Sequence, residues 1–453
     1  MQTKKAIGNL LNRYRAVLKK CHLLNTFGTL ALASALMAAG AGSALAASWG
    51  WVNKSAEGPY TAWTSINKDT TIVNGKVEGN TLNSTAEKDV IGFVYFAGFE
   101  KDSGTAVTIT DSSFKNNTIS AKYGVSAGGI MNKGMTIDLN NVEFSGNKIS
   151  SGGYSNGGAI YADAAKNDDV GVKEGILNFN VTKDMIYSGN TVEGKADTWT
   201  DTYGAVAAPV SGGFLYLDRN STANFNISDG ATLTIGAEDA SGHMDSIASS
   251  LAIDEASKVK SSTLVKKGGG TLTVNSQLND FYGHVAVQEG TMNVTKDWDV
   301  KNDISVSGGT LNLANASLVK VPDIEYIGTD GKTKKTLTSD KTPAGRINIS
   351  GGTVNADSLT VGEKSSVDMT GGELNMENSL TLNGAMTLSG GAAATVAMPN
   401  KGGVSAGSGE SLLALGQPVT LGNSAKLHVG TVSGDATAAF GSDSILVVNG
   451  GVS

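Results

Sequence analysis

A short pattern recurs through the second half of the chain at nearly even spacing. The pattern is two small residues, a polar residue and then an apolar-polar-apolar alternation, as in GGTLTV at 269–274, and one copy begins with Glu-Gly instead. The copies begin at Gly269, Glu289, Gly308, Gly351, Gly371 and Gly390, so their spacings are 20, 19, 43, 20 and 19 residues. A period fixed near twenty is typical of a stacked-repeat fold, and the interval of 43 corresponds to two periods and an insertion.

The residues around each pair of small residues alternate with the period of two that strands have. The predicted inward residues after the pairs are Leu272/Val274, Met292/Val294, Leu311/Leu313, Val354/Ala356 and Leu374/Met376. The predicted outward residues, which we expect to form exposed ladders, are Thr273, Asn293, Asn312, Asn355 and Asn375. Similar segments precede the pairs, and a third segment follows them. Three short strands in about twenty residues predict an all-β protein, a parallel β-helix with glycines at its corners. The alternative, a β-sandwich, gives no reason for one hexapeptide to recur at a fixed interval.

Two stretches depart from this regular β-helix, which we assign to 261–453. After Gly390 the expected inward positions hold Ala393 and Thr395, so that coil is either narrow or shifted in register by one residue. Residues 314–346 form a charged excursion, interpreted as a hairpin that turns at Asp330-Gly331.

The first half has a looser repeat. The motifs FKNN (114–117), FSGN (144–147) and YSGN (187–190) alternate with GGIM (128–131), GGAI (157–160) and GGFL (212–215). Their uneven spacing predicts an irregular β-helix over 111–260, with loops that project between coils. Residues 47–110 show no repeat, and we interpret them as the N-terminal cap of the stack.

The first 46 residues have the features of a secretory signal peptide. Six basic and no acidic residues precede or flank an apolar run, and Ala44-Leu45-Ala46 predicts cleavage after Ala46. An uncleaved membrane anchor is the alternative. Without this segment 29 of the 35 Lys+Arg remain against 42 Asp+Glu, a net charge of −13, and the single cysteine is lost. This composition argues against a nucleic-acid partner and excludes disulfides.

The stretch at 264–294 resembles the passenger-associated repeat of bacterial autotransporters. The matching residues are Lys267, Gly268, Gly270, Thr271, Leu272, Tyr282, Gly283, Gly290 and Thr291, while Met292 stands where Leu is usual. The FxxN and GGAI motifs resemble repeats of chlamydial polymorphic membrane proteins. The resemblance implies a right-handed β-helix, displayed on or released from the outer membrane by a C-terminal β-barrel. We see no such barrel in the 453 residues, so we expect a fragment, a stand-alone relative or a chain exported by a separate barrel.

No catalytic, cofactor-binding or metal-ligating set emerges from the sequence. His243, His284 and His428 have no partner at ligand spacing and are predicted to be surface or corner residues. Asp168, Asp169, His243 and Arg346 could be assembled into a hydrolase set only because they are of suitable types. We predict a non-enzymatic adhesin or self-association factor whose partner is a cell-surface protein, a glycan or another copy of the chain. A passive stalk and a polysaccharide-degrading β-helix enzyme are the alternatives.

Overall fold

The fold is described from a computed structural model that covers the chain from residue 50 to residue 448 with gaps. The gaps lie at 53, 59–63, 87–88, 99–105, 168–170, 196, 202–203, 209, 253–260, 328–332, 339–341, 383, 389–392, 397–411, 416–418, 422–425, 430, 434–437 and 441–444. Beyond residue 387 only the backbone of the strands is described. The predicted signal peptide at 1–46 lies outside the described residues.

The first part of the described chain forms wide coils, which we call the long coils. Their strands are β1 (Gly50–Val52), β2 (Ser55–Gly58), β3 (Thr64–Ile66), β4 (Thr70–Val73), β5 (Lys76–Glu78), β6 (Thr81–Ser84), β7 (Val94–Ala97), β8 (Ala106–Thr110), β9 (Ser113–Lys115), β10 (Thr118–Ala121), β11 (Ile130–Lys133), β12 (Thr136–Asn140), β13 (Glu143–Ser145), β14 (Lys148–Tyr154), β15 (Ile160–Asp163), β16 (Ala165–Asn167), β17 (Gly171–Lys173), β18 (Gly175–Val181), β19 (Met185–Tyr187), β20 (Thr191–Lys195), β21 (Asp197–Asp201), β22 (Gly204–Ala208), β23 (Leu215–Leu217), β24 (Ser221–Ile227), β25 (Thr232–Ile235), β26 (Ile247–Ser249) and β27 (Leu251–Ala252).

The second part forms narrower coils, which we call the short coils. Their strands are β28 (Thr263–Lys267), β29 (Thr271–Val274), β30 (His284–Val287), β31 (Thr291–Val294), β32 (Trp298–Val300), β33 (Asp303–Val306), β34 (Thr310–Leu318), β35 (Ile324–Ile327), β36 (Lys334–Leu337), β37 (Arg346–Ile349), β38 (Thr353–Val361), β39 (Ser366–Met369), β40 (Glu373–Leu382), β41 (Ala385–Leu388), β42 (Ala393–Val396), β43 (Leu412–Leu415), β44 (Val419–Leu421), β45 (Lys426–Val429), β46 (Thr431–Ser433), β47 (Ala438–Phe440) and β48 (Ile445–Val448).

These strands stack in parallel sheets, which confirms the predicted all-β parallel β-helix. One sheet of 13 strands runs through both parts, in the order β4-β8-β12-β18-β24-β28-β30-β33-β37-β39-β41-β44-β47. We call it the through sheet. Each strand pairs in parallel with its equivalent one coil away, as Leu264 does with Val285. Among the described residues no helix is long and apolar enough to cross a membrane.

Coil length changes where the long coils meet the short coils. Register partners that face the core form a column across the through sheet, which we call an inward line. One inward line contains, at intervals of 30, 40, 46 and 41 residues, Val107, Ile137, Leu177, Ala223 and Leu264. From Leu264 to Met386 the intervals are 21, 19, 43, 20 and 19. The prediction of three strand segments per coil describes the short coils, where the second and third segments join in bent strands such as β34. The long coils add a fourth sheet.

The inward and outward residues of the short coils follow the predicted alternation. Leu311 and Val354, for example, pair in register and are fully buried. Glycine is required at the corners: Gly309 has φ 71°, and a Cβ there would lie 2.4 Å from the carbonyl oxygen of Gly290 one coil below. The repeat thus preserves glycine because coils approach one another closely at this corner.

In the described part of the chain three hairpins interrupt the coils. They are β16–β17, β21–β22 and β35–β36, all antiparallel. The last confirms the predicted hairpin, although Asp330 and Gly331 lie outside the described residues. Strand β22 also pairs with β27, and β35 from the short coils lies against β21 and β22.

The pairing register of the strands bears on two further predictions, the coil after Gly390 and the first described strands. After Gly390 the chain shifts by one residue, because Ala394 and Val396, not Ala393 and Thr395, pair with the inward Leu374 and Met376. Strands β1, β2 and β3 pair in parallel with the next coil, so this stretch already has the coil pattern that its sequence did not reveal. The assignment of 47–110 as a cap, like the other domain boundaries, stays a prediction.

Candidate functional site

A ladder of amide side chains runs along the outside of the short coils. Neighbouring side chains are linked by hydrogen bonds of 3.2, 2.7, 2.8 and 3.1 Å, each donated by an asparagine Nδ2, through Thr273, Asn293, Asn312, Asn355 and Asn375. Strand alternation places these residues outward, and parallel register stacks them one coil apart. They are half-buried. The exposed ladder predicted from the sequence is confirmed.

Two similar ladders lie on the outer face of the through sheet in the long coils. Asn178 and Asn224 continue a ladder that begins at Asp138, with hydrogen bonds of 2.7 and 2.8 Å. The second ladder contains Thr110, Asn140, Asn180 and Asn226, with hydrogen bonds of 3.1, 2.8 and 2.8 Å. Sequence reasoning missed both ladders, although the shared NFN at 178–180 and 224–226 is their signal.

The asparagines of the FxxN motifs form a different ladder, inside the corner of the long coils. Each side-chain Nδ2 donates to the Oδ1 of the equivalent asparagine one coil on, at 2.8–2.9 Å, through Asn80, Asn117, Asn147 and Asn190. All four are fully buried. Three of them also donate to a carbonyl of the preceding coil, as Asn147 does to Phe114 at 2.8 Å. This inner ladder satisfies buried backbone groups and presents nothing to a partner.

An aspartate ends the inner ladder. Asp245 is fully buried, with φ 53°, and its carboxylate accepts hydrogen bonds from the backbone of Gly189 and from both nitrogens of Asn190. Burial raises the pKa of Asp245, and the hydrogen bonds from Asn190 and Gly189 oppose that rise. A carboxylate suits this end because the groups that face it are all donors.

A cluster of charged and phenolic side chains lies on the side of β11, β15 and β23 that faces away from the core. We call it the charged cluster; its members are Lys133, Tyr161, Asp163, Asp218, Arg219 and Ser250. Lys133 Nζ lies 3.1 Å from Asp163 Oδ2. Asp218 accepts a hydrogen bond of 2.6 Å from the Tyr161 hydroxyl and one of 2.5 Å from Ser250. The Arg219 backbone donates to Asp218 at 2.7 Å, and its Nε lies 3.5 Å from the same oxygen.

Burial sets the electrostatics of the charged cluster. Desolvation, with the nearby charge of Asp218, raises the pKa of Asp163 to about 7, while Lys133 opposes the rise. Desolvation also raises the pKa of the Tyr161 hydroxyl, and Asp218 adds to that rise. The Asp163 and Asp218 side chains are only 12% and 2% exposed. Both carboxylates are therefore largely shielded from solvent, whereas the Lys133 side chain is 37% exposed.

The residues weighed in the sequence as a hydrolase set lie apart from the charged cluster or outside the described chain. Asp168 and Asp169 fall in a gap. His243 is an exposed turn residue whose Nδ1 lies 3.8 Å from Asp280, and Arg346 is exposed at the start of β37. Within the described residues no group of three or more His, Cys, Asp or Glu could hold a metal ion.

The other histidines occupy strand positions. His284 is half-buried in β30, where its Nε2 lies 2.9 Å from the Ser305 hydroxyl and burial lowers its pKa. The backbone of His428 lies in β45. His243 is the surface residue that the sequence predicted.

One lysine points into the core at the junction of the long and short coils. Lys266 is fully buried between Phe225 and Val287 on an inward line of the through sheet. Its Nζ donates to the carbonyls of Lys267, Gly268 and Glu289 at 2.9, 2.6 and 3.1 Å, and burial lowers its pKa to about 8. The resemblance had matched Lys267, but the buried lysine is its neighbour.

Comparisons with known proteins give one distant relative. Over 169 residues the chain is 28% identical to a probable autotransporter, YfaL, of Escherichia coli strain K12. The aligned stretch covers 37% of this chain and 12% of that relative, so the chain spans a small part of the relative's length. No family model and no solved structure matches. The similarity supports an autotransporter-like identity.

Proposed function

We propose that the chain is the secreted passenger region of an autotransporter-like protein and that it acts in adhesion or self-association. The similarity to a probable autotransporter and the parallel β-helix support a passenger. In this proposal the signal peptide directs export, and a β-barrel in the same or a separate chain anchors the passenger at the outer membrane. The outer ladders, which line two faces of the β-helix, carry the adhesive part of the proposal.

The outer ladders offer the hydrogen-bonding capacity that a polar partner needs. An asparagine amide has two N–H donors and two acceptor lone pairs. Within the ladder Asn312 uses one donor toward Asn293 and one acceptor for Asn355, so half of its capacity remains. Repeated every coil, about 4.8 Å apart, such groups suit a partner with a regular array of polar groups, which a protein strand, a glycan or a second β-helix provides.

A surface assay tests the proposal. Beads coated with the exported chain are scored for clumping, and the chain is titrated onto bacterial and animal cells. Asn312→Lys disrupts the ladder of the short coils, and Asn180→Lys disrupts one ladder of the long coils. Asn83→Lys makes the same change at an exposed asparagine outside the ladders and is the matched control.

We expect saturable binding or clumping that at least one ladder variant reduces more than tenfold and that Asn83→Lys leaves unchanged. Full-strength binding by all three variants would remove the ladders from the proposal. A chain that neither binds nor clumps would favour the passive stalk, and release of reducing ends from glycans would favour an enzyme.

A further inference from the structure

The charged cluster brings an amine and a carboxyl group into direct contact between consecutive coils. Lys133 ends β11 and Asp163 ends β15, and the two residues are register partners in a parallel sheet. The Nζ–Oδ2 distance is 3.1 Å, at which the two groups already touch. Strand pairing fixes both backbones one coil apart, so the amine and the carboxyl group stay within reach of each other.

A third group of the cluster lies one coil further on. Asp218 follows β23 and continues the ladder, since its backbone N–H donates to the carbonyl of Ala162 at 2.7 Å. Its side chain is oriented by Tyr161 and Ser250. The electrostatic influence of Asp218 reaches both Lys133 and Asp163. A second carboxylate beside a touching amine and acid is placed to accept and return a proton.

The surroundings disfavour the ionised form of the Asp163 carboxyl group. Tyr161 and Tyr216 are buried and stacked beside the pair, with ring centroids 5.3 Å apart. Burial penalises both charges, so transfer of a proton from the ammonium to the carboxylate costs less than in water. The raised pKa of Asp163, about 7, favours this transfer. Desolvation also lowers the pKa of Lys133, but attraction to Asp163, Tyr95 and Asp218 outweighs it and raises that pKa, which opposes the transfer. Tyr95 and Arg219 also face the pair.

We propose that Lys133 and Asp163 condense into an intramolecular isopeptide bond, with Asp218 as the proton-transfer group. The ammonium first gives a proton to the Asp163 carboxylate. The neutral Nζ then attacks Cγ of the protonated acid, and Asp218 takes a second proton from nitrogen and passes it to the departing oxygen. A C–N bond forms, a C–O bond breaks and one water leaves, without an oxidant or a further reactant.

The bond would link two consecutive coils covalently, between the two central strands of a six-stranded sheet of the long coils. With the signal peptide removed, the chain has no cysteine and cannot use disulfides. A covalent link between residues 133 and 163 closes a loop and restricts the unfolded chain as a disulfide would. It would also survive reducing conditions.

Mass spectrometry of the full exported chain tests the bond. Condensation lowers the mass by about 18 Da, the mass of the water lost. Acylated Lys133 resists trypsin, so residues 123–148 should appear as one peptide joined to 149–166. Separate peptides 123–133, 134–148 and 149–166 at full mass would overturn the proposal.

Three variants separate the chemistry from folding. Lys133→Arg keeps the positive charge and should abolish the link. Asp163→Asn should still link, because Asp218 can take the ammonium proton and pass it to the departing nitrogen, and the loss should be about 17 Da because ammonia leaves in place of water. Asp218→Asn keeps hydrogen-bonding groups toward Tyr161 and Ser250 but cannot accept a proton, so we expect linkage to fall at least tenfold. Far-UV circular dichroism checks that each variant folds. A folded Asp218→Asn chain that links as fast as wild type would remove Asp218 from the mechanism.

Discussion

The long coils and the short coils share one continuous sheet but fill their interiors differently. In the long coils aromatic rings stack from coil to coil. The ring centroids of Phe114 and Phe144 are 5.3 Å apart, those of Phe179 and Phe225 are 4.7 Å apart, and the rings of each pair are nearly parallel. In the described strands of the short coils, inward residues are aliphatic or methionine, with Lys266 and Trp298 the exceptions. Four sheets enclose a wider space than three, and large rings fill it.

Their asparagine ladders also lie in different places. The long coils bury one ladder at a corner and expose two, while the described short coils expose one. The buried ladder lies at the corner that follows the line of Phe144, where the asparagine side chains bind backbone carbonyls. In the short coils the equivalent position lies within a continuous strand such as β34, and glycines such as Gly309 occupy the preceding corner.

The largest effect should come from a charge inside the short coils. Leu311→Asp places a carboxylate at a fully buried position, and we expect a loss of several kcal/mol. Asn312→Asp, one residue on, is half-buried in the outer ladder and should be nearly neutral. Thermal unfolding followed by circular dichroism compares them, and equal losses would mean that the inward register is wrong.

The next effect tests the difference in width. Phe144 and Leu313 lie on equivalent inward lines, connected through Tyr187, Ile235, Val274 and Val294. Phe144→Ala should cost about 3–5 kcal/mol because it empties a stacked position. Leu313→Phe should cost about 1–3 kcal/mol because the narrow interior has no room for a ring. If denaturant unfolding shows that Leu313→Phe is tolerated without loss, the two interiors do not differ in width.

Removing one asparagine from the inner ladder and one from an outer ladder should give a smaller difference in unfolding free energy. Asn147→Ala leaves buried groups of Asn117 and Phe114 without their partner and should cost about 1–3 kcal/mol. Asn312→Ala leaves groups that water can reach and should cost less than about 1 kcal/mol. Hydrogen exchange read by mass spectrometry would localise each loss, and equal exchange in both variants would contradict the distinction between inner and outer ladders.

The smallest effect concerns pH at the junction. The pKa of Lys266 is lowered to about 8 in the folded chain, below the usual value of 10.5. The unfolded chain therefore binds more protons between these values, and stability should rise by about 1 kcal/mol from pH 8 to pH 9. Lys266→Met removes the titrating group. We expect the unfolding free energy of this variant not to rise between pH 8 and pH 9. If it rises as in the wild type, another group causes the pH dependence.

The regular short coils before Gly390 could be predicted to the residue, whereas the long coils could not. A single period places Leu311 inward and Asn312 outward without ambiguity. In the long coils the hairpins β16–β17 and β21–β22 lengthen individual coils and hide the period. The shift after Gly390 was undecidable because Ala and Thr fit either face.

The charged cluster escaped prediction because its members are distant in sequence and share no recognised catalytic motif. A positional signal did exist. Ile130, Ile160 and Leu215 are register partners, and the residues three positions after them are Lys133, Asp163 and Asp218. Alignment of the GGIM, GGAI and GGFL motifs would have predicted that Lys133, Asp163 and Asp218 lie side by side. It would not have predicted that they are buried, because their burial depends on the residues that cover the sheet.

The change in coil size gives the molecule a mechanical asymmetry. The bending stiffness of an elastic rod rises steeply with its width. The wider long coils, with four sheets, should therefore be stiffer than the short coils, with three. A load applied across the molecule would then deform the more compliant part first. The junction at Lys266 is where curvature would change abruptly, and its ammonium joins the carbonyls of two successive coils there.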